Sequence, residues 1–140
     1  MHFVPGLACE AKFSMGCVLG LLAHYGTAGV GAFTSDTIRN PQVCDFSKSV
    51  SMVFDPEVDA AYPQKWIGKV SVMTRDQRVI EQRLEFPKGD PQNPLSSDEH
   101  MAKFWRMASF GSLREPDAVF YWVQTLLQRD RVGSLMQWLL

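Results

Sequence analysis

Apolar residues recur at helical spacing early in the chain. Met15, Val18, Leu19 and Leu22 stand at i, i+3, i+4 and i+7, and Leu21 widens the stripe. This predicts a helix over residues 15–25 that is buried on most sides. Ser14 precedes the run as a cap, and Gly26 follows it as a left-handed stop. Two shorter helical pieces come next. Thr34 or Ser35 caps the first, with Asp36 favourable near its positive end. Asn40-Pro41 opens the second, since proline at the first helical position forfeits no hydrogen bond. Val43, Cys44 and Phe46 are expected to face inward there.

The period then falls to two. Val50, Met52 and Phe54 alternate with Ser49, Ser51 and Val53, which predicts a strand. Residues 55–66, with Pro56 and Pro63, are expected as a long structured loop. Residues 69–74 alternate again and lead to a turn at Arg75-Asp76-Gln77-Arg78. Beyond it Ile80, Gln82, Leu84 and Phe86 share one face, and Glu81, Arg83 and Glu85 the other. The expectation is an antiparallel hairpin with one wet face. Three prolines in Pro87-Lys88-Gly89-Asp90-Pro91-Gln92-Asn93-Pro94 exclude helix and interior strand.

Helices return after the hairpin. Ser96-Ser97-Asp98-Glu99 is a capping box, and the helix behind it is expected to bury Met101, Phe104, Trp105 and Ala108. Pro116 opens another helix, with Val119, Trp122, Val123, Leu126 and Leu127 apolar. A last short helix holds Val132, Leu135, Met136 and Leu139. This order predicts an α+β fold of two layers, with an antiparallel sheet of about 3–4 strands packed by helices. Residues 1–140 are expected to form a single domain.

Composition narrows the function classes. With 46% hydrophobic and 21% charged residues, the chain of 140 residues suits a soluble globular domain. Four Trp and nine Phe are many for this length, and suit a domain that also packs against something else. A homo-oligomer is therefore expected. The net charge of −1, with no run of five like charges, argues against nucleic acid as a partner. Residues 15–33 are nearly uncharged, but glycines and His24-Tyr25 interrupt them. About ten apolar helical residues remain where a bilayer needs roughly 20, so no membrane span is expected. Cys9, Cys17 and Cys44 are odd in number, form no C-x-x-C pair and follow no basic leader. Free thiols in a cytoplasmic setting, with no zinc site, are the expectation.

Several stretches taken in order resemble one family. They are Glu10-Ala11-Lys12-Phe13-Ser14-Met15 opening the apolar helix, and Val53-x-Asp55-Pro56-x-x-Asp59. Tyr62-Pro63-x-x-Trp66, the Pro87 to Ser96 loop, and Ala102-Lys103-Phe104 in the next helix complete the set. Together they resemble the C-terminal domain of the MmgE/PrpD family, over about residues 9–140. That family includes 2-methylcitrate dehydratase, cis-aconitate decarboxylase and iminodisuccinate epimerase. The resemblance implies a smaller α+β lid closing on a large helical domain, with no metal or organic cofactor. It also implies removal of a proton next to a carboxylate, with loss of water or CO2. In the family most acid–base residues come from the helical domain, which would precede Met1 and is expected to be absent here. The chain alone is therefore expected to be inactive, with a helical partner domain completing the site for a small carboxylic acid.

Four residues are candidates for substrate binding, namely Lys12, Ser14, Cys17 and Lys88, and none is assigned as catalytic. Lys12 and Ser14 either face the substrate cleft or form a helix cap with a solvated lysine. Cys17 falls where the resemblance implies an aromatic, often tyrosine, turned towards substrate. A thiol binds a carboxylate poorly, and a small buried hydrophobe is the other reading. Gly16 beside it is also smaller than the family norm. Lys88 and Asp90 lie on the rigid loop, as functional residues or as parts of a turn that sets the hairpin-to-helix angle. His24-Tyr25 is either an acid/base pair or a helix end favoured by the dipole. Three functions follow: a lid domain of a lyase, a non-catalytic binding or oligomerisation module on the same fold, or a small enzyme using Cys17.

Overall fold

The computed structural model describes residues 8–129, so the helix predicted around residues 132–139 lies outside them. The described elements are α1 (Ala8–Ala11), α2 (Met15–Tyr25), α3 (Ser35–Ile38), α4 (Pro41–Lys48) and α5 (Pro56–Ala61). Then come β1 (Gly68–Met73), β2 (Val79–Leu84), α6 (Ser97–Phe110) and α7 (Pro116–Gln124), with 3-10 turns at Val30–Ala32 and Leu126–Gln128. The class is mixed α+β. The chain divides into two compact units, residues 53–103 and the segments on either side of them.

In the flanking unit, α2 begins and ends as its sequence predicts. The Ser14 hydroxyl accepts from the Cys17 N–H at 3.3 Å. Gly26 takes φ +70°, and its N–H closes on the Leu22 carbonyl at 2.9 Å. The buried face differs from the predicted stripe, however. Cys17, Gly20 and Leu21 are buried, whereas Met15 and Leu22 are exposed. The reason is how closely α4 lies along the glycines of α2. A Cβ on Gly20 would sit 2.8 Å from the Val43 carbonyl oxygen, and one on Gly16 would sit 2.5 Å from the Ser47 hydroxyl. Small residues let the two backbones approach, and larger side chains turn away.

The pairing runs antiparallel. Gly16 meets Ser47, Gly20 meets Val43, and the Asn40 side-chain N–H donates to the Tyr25 hydroxyl at 2.8 Å. The same Asn40 caps α4 by accepting from the Gln42 N–H at 2.9 Å. This register also corrects the inward set predicted for α4. Val43 and Ser47 are buried, Cys44 is half-buried, and Phe46 is exposed. Ala11, Cys17, Leu21, Ile38 and Val43 form the core, with Ala8, Ala28, Ala32 and Phe33 packed on it. Leu21 is 0% exposed.

Aromatic rings join α6 to α7. The Phe104 and Phe120 centroids lie 5.3 Å apart, and those of Trp105 and Phe120 5.8 Å apart. Ala108 is buried, as predicted, and so are the apolar Val119 and Trp122 of α7. Met101 was expected inside but is exposed, as are the apolar Val123, Leu126 and Leu127, Leu127 at 99%. After Gln124 a 3-10 turn replaces the helix, which ends the stripe early.

Residues 53–103 hold α5, the hairpin and the start of α6. The sheet has two strands among the described residues, not 3–4. The strand predicted from Val50 to Phe54 does not form, and α5 occupies part of the predicted 55–66 loop. Both differences share one cause. The Asp55 carboxylate accepts from the Glu57 and Val58 N–H groups at 2.9 and 3.3 Å, and Pro56 stands at the first helical position. This N-cap turns the chain into a helix where the alternation would have continued.

The hairpin register sets Lys69 against Arg83, Val70 against Gln82, Ser71 against Glu81 and Val72 against Ile80. Its turn closes with the Thr74 N–H on the Arg78 carbonyl at 2.9 Å, and Gln77 takes φ +62°. Every residue of both strands is exposed, so neither face is the buried one predicted for a two-layer sheet. The capping box of α6 is present as predicted. The Ser96 N–H reaches Glu99 at 2.7 Å, and the Glu99 N–H reaches the Ser96 hydroxyl at 3.2 Å.

Gly20→Ala tests the close approach of α2 and α4. In an exposed helix the change would stabilise by about 1 kcal/mol. Here the new methyl meets backbone, and overpacking costs typically about 1–3 kcal/mol. Urea denaturation of Gly20→Ala is expected to show a net loss of stability. A gain would contradict the packing described.

Candidate functional site

The N-terminal end of α2 brings two of the four candidate residues, Lys12 and Ser14, into one turn. The Phe13 and Ser14 N–H groups close on the Glu10 and Ala11 carbonyls, both at 3.1 Å, which folds the chain from α1 into α2. Lys12 stands exposed on this turn with no ion pair among the described residues. Ser14 is half-buried, and its carbonyl takes the Val18 N–H at 2.9 Å. The Met15 and Gly16 N–H groups come before the first intrahelical donor and have no partner among the described residues. A lysine, a hydroxyl and two unpartnered N–H groups at the positive end of a helix suit a carboxylate.

Cys17 lies one turn further in and points the other way. It is 1% exposed, among Ala11, Leu21, Ile38 and Val43. Burial raises its thiol pKa, and the neighbouring Cys44 raises it further. The thiol therefore stays protonated at neutral pH, and its environment is apolar. Cys44 in turn donates to the Ile38 carbonyl at 3.4 Å.

Lys88 belongs to the other unit, where it braces the proline-rich loop. Its ammonium lies 2.9 Å from Glu99 of the α6 capping box. The Ser96 N–H, and then Lys88, hold the Glu99 carboxyl below its ordinary value. The loop closes with the Gly89 N–H on the Asn93 carbonyl at 2.8 Å, while the Asn93 side chain donates to the Phe86 carbonyl at 3.0 Å. Asp90 accepts from the Gln92 N–H at 2.8 Å.

A charged lattice on the odd-numbered face of the hairpin was not foreseen. Lys69 holds Asp55 and Glu57, each at 2.7 Å. Arg83 holds Glu57 at 2.6 Å through Nη1 and Glu85 at 2.7 Å through Nε. Lys65 reaches Glu85 at 2.8 Å. An open cleft of about 310 Å3 lies beside it, lined by Glu57, Ala60, Ala61, Gln64, Lys65, Ile67 and Arg83. Both cations of that cleft are already paired. The arrangement reads as a tie between α5 and the hairpin, with neither a free base nor an acid. The alternation placed Glu81, Arg83 and Glu85 on one face, but without α5 the partners Asp55 and Glu57 stayed unassigned.

The profile of the MmgE/PrpD C-terminal domain matches residues 5–120. The chain belongs to this family. No curated protein matches it.

This MmgE/PrpD domain carries few acid–base groups of its own. The His24 ring packs edge-on to Tyr25, with centroids 4.5 Å apart, and its Nε2 lies 3.5 Å from the Asn40 side-chain nitrogen. The pair thus joins α2 to α4. Neither His24 nor His100 has a carboxylate partner among the described residues. No three His, Cys, Asp or Glu side chains among them are placed to hold a metal ion. No described helix is long and apolar enough to cross a membrane.

Two outcomes are expected from this site. The first concerns pH. Lys69 lowers the pKa of Asp55; Lys69 and then Arg83 lower that of Glu57; Lys65 and then Arg83 lower that of Glu85. A carboxyl held lower in the folded state stabilises the fold fully above its unfolded value of about 4, and that stabilisation is lost as pH falls through the folded value. Melting temperature should therefore drop between about pH 5 and pH 3, and less steeply in Lys69→Met. Equal slopes in both proteins would remove the lattice from the account.

The second concerns the thiols. Cys9 is exposed and Cys17 buried. Under native conditions an alkylating reagent should label Cys9 first and Cys17 only on unfolding, as peptide mass spectrometry would read. Rapid native labelling of Cys17 would place it at an accessible surface.

Proposed function

We propose that this chain is the lid-type part of an MmgE/PrpD lyase acting on a 2-methylcitrate- or aconitate-like acid, inactive alone and completed by a helical domain. The family match over residues 5–120 carries this reading. The α2 end gives the lid its task. Lys12 and the Met15 and Gly16 N–H groups neutralise one substrate carboxylate. The Ser14 hydroxyl can donate to that carboxylate while still accepting from Cys17, because a hydroxyl has one donor and two acceptor positions. Cys17 supports the helix from within and leaves the cleft without the phenol expected there. Lys88 acts on geometry, by fixing the loop between hairpin and α6. The base that removes the proton next to the carboxylate comes from the helical domain. Three free thiols suit the cytoplasm.

The exposed apolar side chains of the hairpin favour a second reading, an assembly module on the same fold. Turnover separates the two. The chain is to be mixed with a separately produced helical domain of the family and supplied with 2-methylcitrate, and the unsaturated product followed by ultraviolet absorbance. Activity is expected only in the mixture. Lys12→Met should lower kcat/KM about tenfold, the loss of roughly one charge-assisted contact. Failure to form a complex, together with no turnover, would favour the assembly module.

A further inference from the structure

We infer that the free edge of β2 pairs with β2 of a second copy of this chain, antiparallel about a twofold axis, making a four-stranded sheet across two molecules. The inference does not depend on the lyase reading.

The edge is open. In an antiparallel pair, alternate residues turn their N–H and C=O groups towards the partner strand. The Thr74–Arg78 closure and the register of Val72 with Ile80 place the even-numbered residues of β2 on the β1 side. Val79, Glu81 and Arg83 therefore turn their backbone groups outward. No strand covers that edge among the described residues, and a two-stranded hairpin with every residue exposed is marginal alone.

Charge selects the occupant and the register. A symmetric pairing must set outward-facing residues opposite one another. Setting Glu81 opposite Glu81, or Arg83 opposite Arg83, brings like charges together. The register between these sets Glu81 opposite the second copy's Arg83, twice by symmetry, and Ile80 opposite Leu84 on the other face. Opposite charges and apolar pairs directly across a sheet both stabilise it. The two charged groups are also available. Glu81 has no ion-pair partner among the described residues. Arg83 uses Nη1 and Nε on Glu57 and Glu85, and its Nη2 has no such partner. The outer edge of β1 offers Lys69, Ser71 and Met73, which have no complementary self-pairing.

The pairing joins one short strand per chain, less than the roughly 800 Å2 per partner of a standard interface, so a dissociation constant in the micromolar range or weaker is expected. Sedimentation velocity of the full chain, from about 1 µM to about 500 µM, would measure it. The wild type should pass from monomer to dimer. Glu81→Arg should raise the dissociation constant about tenfold or more, because two attractive pairs become repulsive. Mixing Glu81→Arg with Arg83→Glu should restore a dimer that neither forms alone.

Arg83→Glu also disturbs the lattice inside the chain, so a second readout is needed. Amide exchange of the wild type should slow with concentration at Val79, Glu81 and Arg83, and stay unchanged at Ile80 and Gln82. Glu81→Pro, which removes an outward N–H together with the Glu81 carboxylate and leaves the N–H groups that face β1 in place, should abolish that slowing. A monomer throughout the range would overturn the proposal, and capture of other proteins would not rescue it. So would a dimer indifferent to Glu81→Arg and Glu81→Pro.

Discussion

The flanking unit depends on one close approach, the seating of α4 against Gly16 and Gly20 of α2. At Gly20 the nearest atom to a would-be Cβ is a main-chain oxygen, so the fit cannot be relieved by turning a side chain. Backbones this near bring Cys17 and Leu21 into contact with Val43 and Ile38, which is how a core of small residues excludes water. At the far end Asn40 both caps α4 and holds the Tyr25 hydroxyl. Pairing along the whole of α2 also fixes where its N-terminal turn begins. Lys12, Ser14 and the open N–H groups thus have a defined place.

Residues 53–103 are held together by different means. Their apolar strand residues stay exposed, and the connections from α5 to the hairpin are ionic. Exposed ion pairs stabilise little individually, but shared partners lock geometry: Glu57 spans Lys69 and Arg83, and Arg83 spans Glu57 and Glu85. A sheet aligned by charges and left uncovered on its apolar side suits an element that finishes its packing in an assembly.

The local punctuation of the fold was legible from sequence. The Ser14 cap, the Gly26 stop, Asn40-Pro41, the Ser96–Glu99 box, Pro116 and the hairpin turn all act through short-range chemistry and appear where expected. What was missed depends on partners distant in sequence. The glycines of α2 read as gaps in an apolar stripe until Val43 and Ser47 are placed beside them. Asp55-Pro56 carried a helix start, but the preceding alternation argued for a strand, and the cap prevailed. The candidate site was half legible. Lys12 and Ser14 followed from motif and position, whereas the burial of Cys17 and the tie from Lys88 to Glu99 needed three-dimensional neighbours.

The helices α2 and α4 stand or open together, so that the turn carrying Lys12 and Ser14 is held by a helix distant in sequence. Native-state amide exchange, followed at rising urea below the unfolding transition, tests it directly. The account predicts that amides near Leu21 in α2 and near Val43 in α4 exchange through one shared opening, with the same urea dependence. Free exchange in one helix while the other stays protected would contradict it.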